Sequence, residues 1–216
     1  LAHVARQVEA WHAGAEAVCR LLAQHGLEHP AAVPTLAAII HNAETNAEND
    51  PNHVEVDVRN VVAAWAAACG WKPIDDRLCQ DAIDVFGRCW IGCLDPFPGT
   101  HEVLRELRRR GYRLALASNC WIPSPYCRAE LRRHGFDQFL HGITFSCEVG
   151  YRKPARVFYE TAAQAAVGDG NPFLPERMLF VGDSPLWDIA GPAEFGMKTA
   201  LVRTGPSIWP AEHYYR

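Results

Sequence analysis

Residues 178–202 read MLFVGDSPLWDIAGPAEFGMKTALV. The apolar runs at 178–181 and 199–202 predict two short buried strands with a helix between them. Gly182 and Asp183 follow the first of these strands directly. A strand, a helix and a further strand in this order are typical of a parallel sheet that is covered by helices. The sequence therefore predicts an α/β fold for this part of the chain.

The same alternation continues towards the N-terminus. Short apolar runs predict strands at 113–117 and 143–145. The turn-forming residues at 95–99 predict a rigid linker ahead of these strands. Apolar residues three and four positions apart predict amphipathic helices at 103–110, 128–134 and 155–167. We therefore expect an α/β core over 96–216.

The first 95 residues follow a different pattern. Apolar residues recur at helical spacing, and no alternating strand pattern occurs. The predicted helices are 4–22, 58–69 and 78–90. The polar segment 41–53, which follows a short apolar stretch, predicts a loop or the end of a helix. We therefore expect a separate helical domain at 1–95.

The composition excludes several classes of protein. A net charge of −4 over 216 residues leaves no basic surplus for a nucleic-acid backbone, so we expect no nucleic-acid partner. No apolar run is long enough to cross a bilayer, and no signal-peptide pattern opens the sequence, so we expect no membrane association. The eight cysteines are scattered and form no C-x-x-C pair. We expect reduced, mostly buried thiols in a cytoplasmic protein.

Polar residues follow the predicted strands, where ligands of parallel sheets bind. Ser118 and Asn119 come directly after the strand at 113–117. Their hydroxyl and amide groups can bind phosphate oxygens together with the backbone N–H groups of the turn. Serine and asparagine are also common in ordinary turns, so this pair alone is not decisive.

Two further groups of charged residues lie at comparable positions. Lys153 precedes Pro154, which holds it extended ahead of a helix, where an ammonium group can neutralise a phosphate or a carboxylate. A solvated surface lysine is the alternative. Asp183 and Asp188 provide carboxylates that suit Mg²⁺. Asp183 or Ser184 could instead cap the next helix.

In order, spacing and placement, these groups resemble the motif pattern of the haloacid dehalogenase-like (HAD) superfamily. The resemblance is carried by PFPGTHEVLRELRRRGYRLALASN at 96–119, EVGYRKPARVFYETA at 148–162 and the stretch at 178–202. The helical residues 1–95 resemble the α-helical cap of one large branch of that family. The resemblance implies a Rossmann-like parallel sheet with a helical cap domain.

The resemblance also implies a magnesium-dependent phosphatase acting on a small phosphorylated substrate. Ser118 would hydrogen-bond the transferring phosphoryl group with the help of Asn119, and Lys153 would offset charge on the nucleophile and the phosphate. Asp183 would ligate Mg²⁺. Asp188 would ligate the ion through water or orient Lys153. In such enzymes an Asp carboxylate attacks phosphorus, and water hydrolyses the resulting acyl phosphate.

The family's first motif, a strand ending in D-x-D-x-T/V that supplies the nucleophile, has no counterpart here. The acidic residues at 55–57 and 81–84 have the wrong spacing or residue type and predict solvated surfaces. In this fold the first strand lies centrally, between the strands leading to Ser118 and Asp183. A sheet without it leaves backbone groups unpaired. We therefore expect the nucleophile upstream of Leu1, and residues 1–216 to be a fragment that is inactive in phosphoryl transfer.

Other functions stay open at this point. A 2-haloacid dehalogenase shares the fold and the Asp nucleophile but needs no metal, and it typically replaces the acid found here as Asp183. A phosphomutase or a phosphonate-cleaving enzyme has the same fold. A non-catalytic HAD-like binding protein would have no need for Ser118, Lys153, Asp183 and Asp188 together. The sequence predicts neither the substrate nor the oligomeric state; Trp121 and the polar residues of 41–53 are candidates to face the substrate.

Overall fold

The computed structural model describes residues 2–92 and 95–202. Cys93 and the last part of the predicted α/β core, 203–216, lie outside them. The described residues form two compact units. The helical unit consists of 2–50, 56–103 and 120–138, and the α/β unit consists of 51–55, 104–119 and 139–202. Residues 51–55, 96–103 and 120–138 therefore group differently from what a single boundary after residue 95 predicts.

The helical unit is built from long amphipathic helices. Its helices are α1 (Ala2–Ala23), α2 (Ala32–Asn49), α3 (Val58–Ala68), α4 (Asp76–Ile91) and α6 (Ser124–Arg133), while α5 (Thr100–Arg109) begins in this unit and ends in the other. Asp57 caps α3 by accepting the Arg59 N–H at 2.8 Å. The segment 41–53 is helical as far as Asn49, further than predicted, because no glycine or proline interrupts it before Pro51.

Aromatic side chains fill the core of the helical unit. Trp65 is buried, and its indole N–H donates to the Ala32 carbonyl at 2.8 Å. Phe86 and Trp121 stack with ring centroids 6.4 Å apart, and Trp90 lies 5.6 Å from Trp121. Burial of such large rings accounts for much of the stability of a small domain. No helix in the described part of the chain is long and apolar enough to cross a bilayer.

The α/β unit contains the four predicted strands and the predicted helix at 155–167, whereas the helix predicted at 128–134 lies in the helical unit. Its strands are β1 (Ala115–Ser118), β2 (Gly142–Phe145), β3 (Leu179–Gly182) and β4 (Lys198–Leu201). Its helices are α7 (Ser146–Val149), α8 (Arg156–Val167), a π-helical turn (Pro185–Ala190) and α9 (Gly191–Phe195). This alternation confirms the predicted α/β fold class.

The strands form two parallel pairs. β1 pairs with β2, with Ser118 opposite Phe145, and β3 pairs with β4. Within the described ranges, no strand pairing joins one pair to the other. Helix α8 contributes Phe158 and Tyr159, both fully buried, to a hydrophobic cluster. Phe180 of β3 packs against this cluster. Leu179 and Val181, which alternate with Phe180, are 61% and 53% exposed.

Candidate active site

The predicted lysine and the second predicted aspartate meet in a buried ion pair. Lys153 Nζ donates to Asp188 Oδ1 at 2.6 Å, and their side chains are only 9% and 7% exposed. The ammonium group also lies 5.4 Å from the centre of the Phe180 ring. Lys153 is therefore not a solvated surface lysine, and it lies in the direct contact with Asp188 that the predicted orienting role requires.

The second oxygen of Asp188 organises the turn that follows β3. Asp188 Oδ2 accepts the backbone N–H groups of Asp183 at 3.1 Å and Ser184 at 3.0 Å. Ser184 Oγ accepts the Trp187 N–H at 3.1 Å and so caps the π-helical turn. A Cβ atom on Gly182 would overlap the Asp188 carboxylate, so this close approach requires glycine. Both oxygens of Asp188 are thus used in holding neighbouring groups.

Asn119 holds the backbone of Lys153. Its Oδ1 accepts the Lys153 N–H at 2.8 Å, and its Nδ2 makes a longer contact of 3.4 Å with the Lys153 carbonyl. The hydroxyl of Ser118 lies 3.3 Å from the Asn119 carbonyl, which is long for an O–H donor. Asn119 therefore brings the end of β1 to the segment before α8, and its predicted contact with phosphate stays a prediction.

The carboxylate of Asp183, unlike that of Asp188, has no partner among the residues that the structure describes. It is half-buried at the end of β3, and its side chain makes no hydrogen bond or ion pair with the residues that the structure describes. Those residues contain no group of three or more His, Cys, Asp or Glu that could hold a metal ion. Mg²⁺, however, usually keeps several waters and takes one or two carboxylates plus substrate phosphate. Asp183 fits such a site directly, whereas Asp188 fits it only through water.

A second buried ion pair, absent from the sequence predictions, lies beside Lys153. Arg152 Nη1 is 3.6 Å from Glu55 Oε1, with side chains 8% and 3% exposed. An antiparallel bridge between Val54 and Tyr151 accompanies it. The prediction that Glu55 faces solvent was therefore wrong, because the bridge carries it into the α/β unit. No local signal marks a pair that is so distant in sequence.

The π-helical turn is also held from α8. The Tyr159 hydroxyl donates to the Trp187 carbonyl at 2.7 Å. Burial, with a smaller contribution from the nearby charge of Asp188, raises the pKa of Tyr159 above its ordinary value. The phenol therefore stays a donor at physiological pH. A Cβ on Gly191 would overlap this hydroxyl, so the turn passes close to α8.

The sequence also singled out Trp121 and the cysteines, and Trp121 lies in the helical unit. Trp121 is 6% exposed, and its indole N–H donates to Glu44 Oε1 at 2.7 Å. It is a packing residue of the helical unit. The seven described cysteines carry thiols; three are buried and four half-buried, so fewer are buried than expected.

The chain is similar to a known family and to several solved structures. A family model described as haloacid dehalogenase-like hydrolase matches residues 8–196. Among solved structures, a HAD-hydrolase from Bacillus subtilis bound to magnesium superposes with a TM-score of 0.60 at 20% sequence identity. The match covers 93% of this chain and 86% of that one. At this identity the likeness establishes the fold and nothing finer.

Curated enzymes of two kinds are similar to the chain. A glyceraldehyde 3-phosphate phosphatase from Methanopyrus kandleri is 27% identical over 158 residues, covering 73% of this chain and 60% of the relative. An (S)-2-haloacid dehalogenase from Pseudomonas sp. strain YL is 38% identical over 116 residues, covering 52% of this chain and 45% of the relative. The chain thus spans about half the length of the curated relatives it matches.

Proposed function

The chain belongs to the haloacid dehalogenase-like hydrolase family, and from this premise we propose that it forms most of a magnesium-dependent phosphatase. The substrate class we propose is a small phosphorylated metabolite. The observation that carries this proposal is the contrast between the two aspartates. Asp188 is fully engaged by Lys153 and backbone N–H groups, while Asp183 presents a carboxylate beside them.

We assign each site residue a separate role. The Lys153 ammonium offsets negative charge on the nucleophile and the phosphoryl group, and Asp188 keeps it in place. Ser118 donates a hydrogen bond to the phosphoryl group, with Asn119 beside it. Asp183 holds Mg²⁺, with Asp188 contributing through water. The bound ion supplies positive charge next to the phosphate oxygens.

We further propose that an aspartate upstream of Leu1 supplies the nucleophile. Its carboxylate attacks phosphorus, the leaving alcohol departs, and water hydrolyses the aspartyl-phosphate. Residues 1–216 contain no D-x-D-x-T or D-x-D-x-V sequence. The β1–β2 pair and the β3–β4 pair are not joined by strand pairing among the described residues, which supports a further strand between them. In this proposal the helical unit acts as the cap that selects the substrate.

The dehalogenase relative favours a second candidate, a 2-haloacid dehalogenase. Such an enzyme would use the same nucleophile to displace halide from carbon. It would not need Asp183 as a metal ligand, and its activity would persist in a chelator. We prefer the phosphatase because of Asp183 and because a phosphatase relative matches a larger part of the chain. The composition further supports a cytoplasmic enzyme without a nucleic-acid partner.

The test compares residues 1–216 alone with the same chain preceded by its encoded upstream segment. Phosphate release from glyceraldehyde 3-phosphate and p-nitrophenyl phosphate is measured with Mg²⁺ and with chelator, and halide release from 2-chloropropionate is measured in parallel. We expect Mg²⁺-dependent phosphate release from the longer chain only. Asp183→Asn should lower that rate about 100-fold or more, as does loss of a charge-stabilising group.

Asp169→Asn is the matched control, because it removes the charge of an exposed aspartate outside the site. It should leave the rate unchanged. Metal-independent halide release would replace the phosphatase proposal with the dehalogenase. Mg²⁺-dependent turnover by residues 1–216 alone would show that the nucleophile is not upstream.

A further inference from the structure

Two cysteines lie in contact just beyond the end of β1. Cys120 Sγ and Cys127 Sγ are 3.4 Å apart. A disulfide bond requires about 2.05 Å between the sulfur atoms, so the two side chains need to approach by only about 1.3 Å. Cys120 is half-buried and Cys127 is 9% exposed, so an oxidant in solution reaches Cys120 first.

The chain between these cysteines is held firmly. Trp121 and Ile122 are 6% and 1% exposed and anchor the connecting segment in the helical core. Pro123 precedes α6, and Cys127 lies in the first turns of that helix. Because the segment is anchored on both sides, the two sulfur atoms are kept near each other and do not need to find each other by diffusion. Bond formation therefore requires little reorganisation.

We propose that Cys120 and Cys127 form a reversible redox pair whose oxidation changes the turn that carries Ser118 and Asn119. With hydrogen peroxide as oxidant, the Cys120 thiolate attacks one peroxide oxygen, and the O–O bond breaks to give a sulfenic acid and hydroxide. The Cys127 thiolate then displaces a second hydroxide from that sulfur and forms the disulfide. The two protons that the thiols release on ionising convert both hydroxides to water. Two electrons pass from the sulfurs to the peroxide, and a dithiol reverses the reaction.

The consequence for the site follows from the position of Cys120. It directly follows Asn119, whose Oδ1 accepts the Lys153 N–H at 2.8 Å. Moving Cys120 by a fraction of the 1.3 Å approach displaces Asn119 and weakens its hold on Lys153. We therefore expect the oxidised enzyme to hydrolyse phosphate esters more slowly. This expectation rests on the proposed function, whereas formation of the disulfide does not.

The first experiment uses the chain itself and requires no activity. Trypsin cleaves after Arg113 and Arg128, so the peptide 114–128 contains both cysteines and no other. The chain is treated with hydrogen peroxide, alkylated with iodoacetamide, digested and analysed by mass spectrometry. The expected peptide lacks two hydrogen atoms and carries no alkyl group; after dithiothreitol it takes up an alkyl group on each cysteine.

Two variants test whether the modified peptide depends on Cys127. Cys127→Ser should abolish the modified peptide, and Cys147→Ser, which removes a half-buried thiol elsewhere, should leave it unchanged. The redox pair is refuted if peptide 114–128 stays fully alkylated after peroxide treatment. It is equally refuted if either cysteine is linked to another, such as Cys93.

The second experiment measures phosphate release by the longer chain before and after oxidation. We expect the rate to fall about tenfold to a hundredfold, as for small displacements in other active sites, and to recover in dithiothreitol. Cys127→Ser should be insensitive to peroxide. An unchanged rate despite a formed disulfide would refute the effect on the site. If the longer chain hydrolyses no phosphate ester, the proposed function fails while the peptide result still decides the redox pair.

Discussion

At the scale of single residues, the buried charges of Lys153 and Asp188 need compensation for their lost hydration. Removing two charges from water costs several kcal/mol per ion, and a single contact rarely offsets it. Here the 2.6 Å ion pair is accompanied by two backbone N–H donors on the same carboxylate. The ion pair is therefore stable only while every partner is present.

We predict strong coupling between the two side chains. Lys153→Met and Asp188→Asn should each lower the free energy of unfolding by about 3–5 kcal/mol, because each leaves a buried polar group without its partner. The double variant should lose clearly less than the sum of the two. Urea denaturation of the wild type and the three variants measures this coupling.

The exposed pair Arg156 and Glu160 provides the control, with 2.9 Å between its charged atoms and side chains 73% and 44% exposed. Arg156→Met should change the free energy of unfolding by about 1 kcal/mol or less, as for other solvated ion pairs. Additive losses at Lys153 and Asp188 would mean that the buried pair is not coupled.

The two buried ion pairs differ in how well the sequence predicts them. The contact between Lys153 and Asp188 was predictable, because Lys153 precedes α8, Asp188 lies in the turn that follows β3, and the ends of parallel strands converge. The ion pair of Glu55 with Arg152 was not predictable. It depends on an antiparallel bridge that has no sequence periodicity, and acidic residues are solvated by default.

At the scale of elements, α4 and α6 are joined by a polar contact. The Tyr126 hydroxyl donates a short hydrogen bond to Asp84 Oδ1, and Gln80 donates to the same oxygen at 2.7 Å. The pKa of Asp84 lies below its ordinary value, mainly because Asp84 accepts the hydrogen bond from Tyr126. Burial, followed by this hydrogen bond, raises the pKa of Tyr126 to about 12. In the folded protein the phenol therefore stays protonated at pH values below about 12.

This contact predicts a pH dependence at alkaline pH. An ordinary tyrosine has a pKa of about 10 in the unfolded chain. A folded-state pKa of about 12 for Tyr126 means that its stabilising contribution is complete below pH 10 and is lost as pH rises towards 12. The free energy of unfolding of the wild type should therefore fall more steeply above about pH 10 than that of Tyr126→Phe.

Urea denaturation at a series of alkaline pH values gives both slopes. Tyr112→Phe is the control, because Tyr112 is 59% exposed, and it should keep the steep slope of the wild type. Parallel curves for the wild type and Tyr126→Phe would show that the phenol does not stabilise the packing of α4 on α6.

Most elements of the fold were predictable from apolar periodicity. The strand predicted at 113–117 is observed at Ala115–Ser118, because strand ends depend on pairing with β2 and not on residue type alone. The π-helical turn at Pro185–Ala190 was predicted only as a helix. Lys153 and Tyr159, both distant in sequence, contact this turn through Asp188 and the Trp187 carbonyl, and such tertiary contacts leave no signal in the local sequence.

At the scale of the whole chain, the sheet has features that favour association. Each strand pair has edges that pair with no other strand in the described part of the chain, and Leu179 and Val181 of β3 expose apolar side chains beside one such edge. Natural sheets usually cover or charge such edges, because they pair readily with other chains.

We predict that residues 1–216 associate increasingly as the concentration rises. Val181→Glu should reduce this association by placing a charge on the exposed face of β3, and sedimentation velocity over a range of concentrations measures it. Val157→Glu makes the same change at a 41% exposed position on α8 and should have little effect. A monomer at every concentration, or equal effects of both variants, would mean that this face of the sheet does not drive association.

The division of the chain into interleaved segments has a consequence for synthesis. Helix α6 belongs to the helical unit but is made after residues 104–119, which belong to the α/β unit. A chain emerging from the ribosome therefore cannot complete the helical unit until residue 138 has appeared, and the α/β unit must wait for β4. Neither unit is one continuous segment, so neither can be excised by a single cut. The order of translation therefore completes the helical unit only after synthesis of the α/β unit has begun, and completes the α/β unit last.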